Sequence, residues 1–144
     1  MEKVMVKKLD NDAKIPNYAH NTDAGVDLYS VKEITLKPMQ RALVPTGIAI
    51  ALPDGFEAQV RPKSGLALKY GITVLNTPGT IDQEYRGEIG VIVINLSDSE
   101  FKVEKGMKIA QMVFSKVEHV SFEETRILDK TERGEGGFGS TGLK

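Results

Sequence analysis

Between Leu75 and Asn95 the chain reads LNTPGTIDQEYRGEIGVIVIN. Asp82, Glu84, Tyr85, Arg86 and Glu88 crowd into its middle, between an apolar start and an apolar end. A plain hairpin needs only two turn residues, so a dense polar cluster with one aromatic exceeds what the turn requires. The pattern predicts a hairpin built to hold a small ligand. Asp82 is its first candidate for chemistry, because a carboxylate near bound phosphates can orient and deprotonate water. Taken alone, an aspartate in this position is more commonly an ordinary surface residue.

Two further stretches have the parts of an anion site. Ser64-Gly65 opens a short helical stretch, offering a hydroxyl, free backbone N–H groups and the positive end of the helix, with Lys63 adding charge. Taken alone, a stretch of this kind is more commonly an ordinary capped helix. The tail, RGEGGFGSTG at 133–142, has the composition of a phosphate cradle. Its glycines allow close backbone approach, Ser140 and Thr141 donate hydrogen bonds, and Arg133 supplies charge. It is not a Walker A loop, because no Gly-Lys-Ser/Thr follows and no helix comes next. A flexible terminus is the competing reading, but it leaves Phe138 unexplained; that ring could stack on a base. Asp27 points away from Val26 and Leu28, towards solvent or a shared site. Gln111 alternates in phase with Ile109 and Val113, and a polar residue on an apolar face usually has a partner.

The elements that must position these groups are mostly strands. Alternation predicts strands at residues 3–9, 26–30, 34–36 and 41–52, with Ile48, Ile50 and Leu52 on one face and Gly47, Ala49 and Ala51 on the other. The small-residue face suits close packing against another sheet or subunit. Pro53-Asp54-Gly55 is a turn, and Phe56, Ala58 and Val60 form the return strand. The one helix runs from Ser64, as its cap, to Gly71. Residues 72–75 lead into the hairpin, and 88–95 return apolar on both faces, as a strand buried from both sides. Strands follow at 101–103 and 108–117, and residues 117–128 read as a last strand or edge segment. Many short strands with regular turns and one helix predict an all-β jelly-roll sandwich. One domain over residues 1–132 carries a tail at 133–144, where five of the chain's 14 glycines lie.

Composition narrows the function. The chain has 144 residues, 40% hydrophobic and 27% charged, as in a soluble globular domain. A net charge of -1 provides no global field for nucleic acid or membrane, so stable binding to either is not expected. There is no cysteine, hence no disulfide, thiol nucleophile or thiolate ligand. Only His20 and His119 are present, so a zinc deaminase of the H-x-E plus C-x-x-C kind is excluded. No signal peptide or membrane span is visible, and a cytoplasmic location is expected.

Taken in order, AGVDLYS (24–30), RPKSGLA (61–67), NTPGTIDQEYRGEI (76–89), GMKIAQ (106–111) and RGEGGFGSTG (133–142) resemble the five motifs of the trimeric dUTP diphosphatase (dUTPase) family. The resemblance covers essentially the whole chain, and its third and fifth motifs are specific. It implies a jelly-roll homotrimer whose active sites are shared between subunits. The implied reaction is hydrolysis of dUTP to dUMP and pyrophosphate with Mg²⁺ on the triphosphate, which limits uracil in DNA and supplies dUMP for thymidylate synthesis.

The resemblance also implies roles. Asp82 would be the general base for the water attacking the α-phosphorus. Tyr85 would lie against the deoxyribose and exclude a 2′-hydroxyl. Asn76, with hairpin groups of Gly79, Thr80, Ile81 and Gly90, would read the uracil edge. Lys63, Ser64, Gly65 and Gln111 would contact phosphates, and Asp27 would act on the metal through water. The tail would close over the site, with Phe138 stacking on uracil and Arg133, Gly139, Ser140 and Thr141 holding the distal phosphates. The chain departs from the family pattern at Lys63 and Lys108, where arginine is usual. Lysine keeps the charge but loses the bidentate fork. A dCTP deaminase or bifunctional deaminase on the same fold, and a non-catalytic nucleotide sensor, are the alternatives. The Tyr85 hairpin and complete fifth motif argue against a deaminase; Asp82 and the tail argue against a sensor.

Overall fold

The computed structural model describes residues 1–144. The strands are β1 (Met5–Lys8), β2 (Val26–Tyr29), β3 (Ile34–Leu36), β4 (Arg41–Ala51), β5 (Phe56–Arg61), β6 (Ile72–Val74), β7 (Gly79–Ile81), β8 (Glu88–Asn95), β9 (Phe101–Val103) and β10 (Lys108–Lys116). The helix α1 spans Ser64–Tyr70 between β5 and β6. Two four-stranded antiparallel sheets run β1-β4-β8-β6 and β2-β10-β5-β7, and β3-β9 form a separate ribbon. Val44, Ile48, Ile89, Val91 and Val93 from the first sheet meet Val26, Leu28, Ala58, Val60, Ala110 and Met112 from the second in one core. Fully burying each large aliphatic side chain contributes about 1.5–3 kcal/mol, so this seam dominates the cohesion of the fold. The result is the expected jelly-roll sandwich with one short helix on its outside. No helix is long and apolar enough to cross a membrane.

The stretch from Leu75 to Asn95 is not a continuous hairpin. β6 pairs with β8 from Ile72↔Asn95 to Val74↔Val93, and the Leu75 N–H donates to the Ile92 carbonyl at 2.9 Å. Pro78 then offers no N–H to extend that ladder. The chain crosses to the opposite sheet, where Gly79–Ile81 pair with Val60–Ala58 of β5. The stretch therefore straddles both sheets, and its two arms splay apart around a cavity.

The alternation along β10 is also different from the expected one. A register shift between Lys108 and Ala110 lets Ile109 and Ala110 both enter the core. Gln111 consequently sits on the outer face, opposite Asp27 on β2 and Arg61 on β5. Its phase with Ile109 is broken by the bulge, so it is not a polar residue on a buried face.

Three smaller differences remain. Lys63, not Ser64, occupies the helix N-cap, without a side-chain cap bond, while Gly71 ends the helix in the left-handed region at φ 65° as expected. Gly47 lies at φ 70°, where an added Cβ would meet Ala13 and Asp10 at 2.9 Å; its smallness serves packing inside its own chain. Residues 117–128 form no strand; after the Val117 N–H bond to the Gly55 carbonyl the segment pairs with neither sheet.

Candidate functional site

The splayed arms enclose a cavity of about 420 Å³. Asn76, Thr80, Ile81, Asp82, Tyr85 and Gly90, all expected there, line it together with Leu43, Glu88 and Ile92. Leu43 and Ile92 escaped the sequence reading. The only available signal for Ile92 was its place in a strand whose other face is core. An added Cβ at Gly90 would lie 2.6 Å from Leu43 Cδ1, so any larger residue there would push the exposed Leu43 side chain aside. Gly79 is buried behind this wall, against Val60 and the Asn76 amide.

Local bonds hold the polar wall. The Tyr85 N–H donates to the Asp82 carbonyl at 3.1 Å, closing the turn after β7. The Tyr85 hydroxyl donates to the Glu88 carbonyl at 2.9 Å, which folds the ring over Gly87. Arg86 Nη1 donates to the carbonyls of Gln83 and Tyr85 at 2.7 and 3.1 Å. Gln83 ties the turn to the one after β4: its Oε1 accepts from the Gly55 N–H at 2.8 Å, and its Nε2 donates to Asp54 Oδ1 at 3.0 Å. The Asp82 carboxylate is exposed and free to meet a ligand. It borders both this cavity and a neighbouring one that also touches Glu57, Glu84 and His119.

A second cavity, about 400 Å³, gathers Asp27, Lys63, Lys108 and Gln111 beside His20 and Asp23. The Asp27 side chain is only 13% exposed, and it bridges two lysines. Lys63 Nζ donates to Oδ1, and Lys108 Nζ donates to Oδ2 at 2.8 Å. Burial pushes the Asp27 carboxyl up, but the bonds and charges of Lys108 and Lys63 outweigh it and hold the carboxyl below its usual range. The same bond raises the Lys108 ammonium. Gln111 Nε2 donates to the Pro62 carbonyl at 3.0 Å, bracing the corner before α1. Close behind it, Gly25 leaves room for Gln111 Oε1.

Ser64 and Gly65 are exposed at the start of α1, where the first N–H groups of a helix lack intrahelical partners. The tail bonds only to itself and to Thr131 just before it: Arg133 Nε donates to the Gly136 carbonyl at 2.9 Å, and the Gly134 N–H donates to Thr131 Oγ1 at 3.1 Å. Phe138 is fully exposed, with Gly139, Ser140 and Thr141 exposed after it. The sequence-derived residues thus fall into separate groups within one chain: the hairpin cavity, the Asp27–Lys63 cavity with the start of α1, and the tail.

No group of three or more histidines, aspartates or glutamates is arranged to hold a metal ion by itself. A divalent cation carried on phosphates needs little more than one carboxylate reached through water. A carboxylate has roughly four lone-pair sites, and the lysines occupy only part of that capacity at Asp27. Asp27 therefore fits an outer ligand better than a member of a closed cage.

A protein-family model described as dUTPase matches residues 11–142. The chain is 63% identical over 141 residues to the deoxyuridine 5'-triphosphate nucleotidohydrolase of Clostridium novyi (strain NT), covering 98% of this chain and 99% of that protein. It is 60% identical over 143 residues to the protein of the same name from Rickettsia bellii (strain OSU 85-389), covering 97% and 95%. Among solved structures, the Staphylococcus bacteriophage 80alpha dUTPase with dUpNHpp superposes with a TM-score of 0.92 at 27% identity, covering 99% of this chain and 100% of that one. A point mutant of that phage enzyme, also with dUpNHpp, gives 0.93 at 26% identity, with the same shares covered.

Proposed function

Because the chain belongs to the dUTPase family, we propose that it hydrolyses dUTP to dUMP and pyrophosphate in the cytoplasm. The observation that carries this reading is the hairpin cavity. Six residues expected to read base and sugar or to activate water line one space, between arms that diverge into opposite sheets.

Asp82 takes a proton from water as its oxygen bonds to the α-phosphorus, and the bond from that phosphorus to the bridging oxygen breaks, releasing pyrophosphate. Tyr85, fixed by its bond to the Glu88 carbonyl, packs against the deoxyribose and leaves no room for a 2′-hydroxyl. Asn76 and the hairpin groups of Gly79, Thr80, Ile81 and Gly90 read the uracil edge. Lys63, Ser64, Gly65 and Gln111 hold phosphates, which need positioned charge more than covalent chemistry. Asp27 would hold Mg²⁺ on the triphosphate through water, and the ion would supply positive charge against the charge that develops there. The tail closes over the nucleotide through Arg133, Phe138, Gly139, Ser140 and Thr141, excluding solvent.

A homotrimer with shared sites accounts for the separation of these groups. The stretch after β10 exposes Val117, Val120, Phe122, Ile127 and Leu128 without covering them. Exposed apolar residues so close together suit burial against another copy. Pyrophosphate release from dUTP with Mg²⁺ tests the activity, and light scattering tests the assembly. A folded protein that binds dUTP without releasing pyrophosphate would make it a sensor, and ammonia release from dCTP would make it a deaminase.

A further inference from the structure

We propose that Gln83 is a positioning residue for Asp82, clamping the Asp82 turn onto the turn that follows β4. The inference rests on Asp82 acting as the base. The Asp82 carboxylate has no hydrogen-bond partner of its own, so its backbone decides where it stands. Most bonds around it are local: Tyr85 N–H to the Asp82 carbonyl, Arg86 to the Gln83 and Tyr85 carbonyls, and Tyr85 hydroxyl to the Glu88 carbonyl. These shape the turn and tie it to the first residue of β8, its neighbour in sequence, but not to any distant part of the chain. Gln83 is the side chain of residues 82–86 that hydrogen-bonds beyond the β7–β8 connection and its flanking strands.

Both ends of its amide are used, at 2.8 Å to the Gly55 N–H and 3.0 Å to Asp54 Oδ1. That fixes the amide orientation, because a flipped amide would oppose donor to donor and acceptor to acceptor. Gly55 has a second role: its carbonyl accepts from the Val117 N–H at 2.8 Å. Through Gly55, one residue next to Asp82 and the root of the C-terminal segment hang from a single turn. A displacement of the base by about 1 Å is enough to cost about a hundredfold in rate, which gives a clamp of this kind kinetic weight.

The test compares Gln83→Ala, Gln83→Glu and the double variant Gln83→Glu/Asp54→Asn with Asp82→Asn. Turnover of dUTP, affinity for dUpNHpp and Tm are read for each. Gln83→Ala is expected to lower kcat about ten- to hundredfold while KM, analogue affinity and Tm stay near the parent. Gln83→Glu keeps an acceptor for Gly55 but sets two carboxylates against each other, so kcat falls as well. Adding Asp54→Asn supplies an amide donor to the introduced carboxylate and is expected to return kcat to within about threefold of the parent. An unchanged kcat in Gln83→Ala, a loss that tracks Tm or analogue affinity, or no rescue in the double variant overturns the inference. An active Asp82→Asn overturns the base assignment along with it. An inactive Asp82→Asn beside an unaffected Gln83→Ala overturns the positioning role alone.

Discussion

The Tyr85 ring occupies the space where a side chain on Gly87 would start: a Cβ at Gly87 would stand 2.4 Å from the Tyr85 hydroxyl oxygen. The glycine is therefore part of how the tyrosine is aimed. Its partner bond, from the hydroxyl to the Glu88 carbonyl, completes a tight fold of the side chain back onto its own turn.

Gly87→Ala is expected to swing the ring out of the cavity and break that bond. Surface substitutions typically move stability by less than about 0.5 kcal/mol, so Tm should hardly change. Discrimination should suffer instead, with kcat/KM for UTP rising relative to dUTP. An unchanged ratio would show that the ring does not police the sugar.

Asp27 makes stability depend on acid. Its folded carboxyl titrates below the usual value of 3.8, so the unfolded state binds the proton more readily. The stabilisation is present above about pH 4 and is lost as pH falls through the lower folded value. Asp27→Asn should lower Tm at pH 7, through a loss of about 1 kcal/mol, and the gap to the parent should close in strong acid. Thermal melts from pH 2 to 7 check this, and a gap constant with pH would refute the linkage.

Lys63 meets Asp27 as a single-point donor. Lys63→Arg should keep the pair with Asp27 and add a second N–H for phosphate. Tighter binding of dUpNHpp, by about three- to tenfold, is the expected outcome of a titration. No gain would mean that lysine already makes the contact the site needs.

Removing residues 133–144 should cut kcat by about a hundredfold or more while leaving the fold intact. The tail bonds only to itself and to Thr131, which lies outside both sheets, so the sandwich loses no support. Circular dichroism melts and turnover, measured on the same preparation, separate the two effects. A large fall in Tm would make the tail structural.

Much was legible in the residues alone. Alternation located most of the strands, Pro53-Asp54-Gly55 marked its turn, Gly71 ended the helix, and six residues of the hairpin cavity were named from their motif. These signals are local: side-chain period, backbone freedom and turn chemistry act over a few neighbours. Partnership between strands is not local. Nothing in the stretch from Leu75 to Asn95 says that its two arms belong to opposite sheets, because that follows from which strands β5 and β8 can reach. The bulge at Ile109, which turns Gln111 outward to face Asp27, likewise depends on packing across the sheet. So do the two lysines on Asp27 and the Gln83 clamp, each joining residues 28 or more positions apart. The sequence by itself determined which chemical groups are present and the local elements that carry them; only the tertiary structure decided which groups share a cavity, because that depends on long-range pairing and side-chain packing.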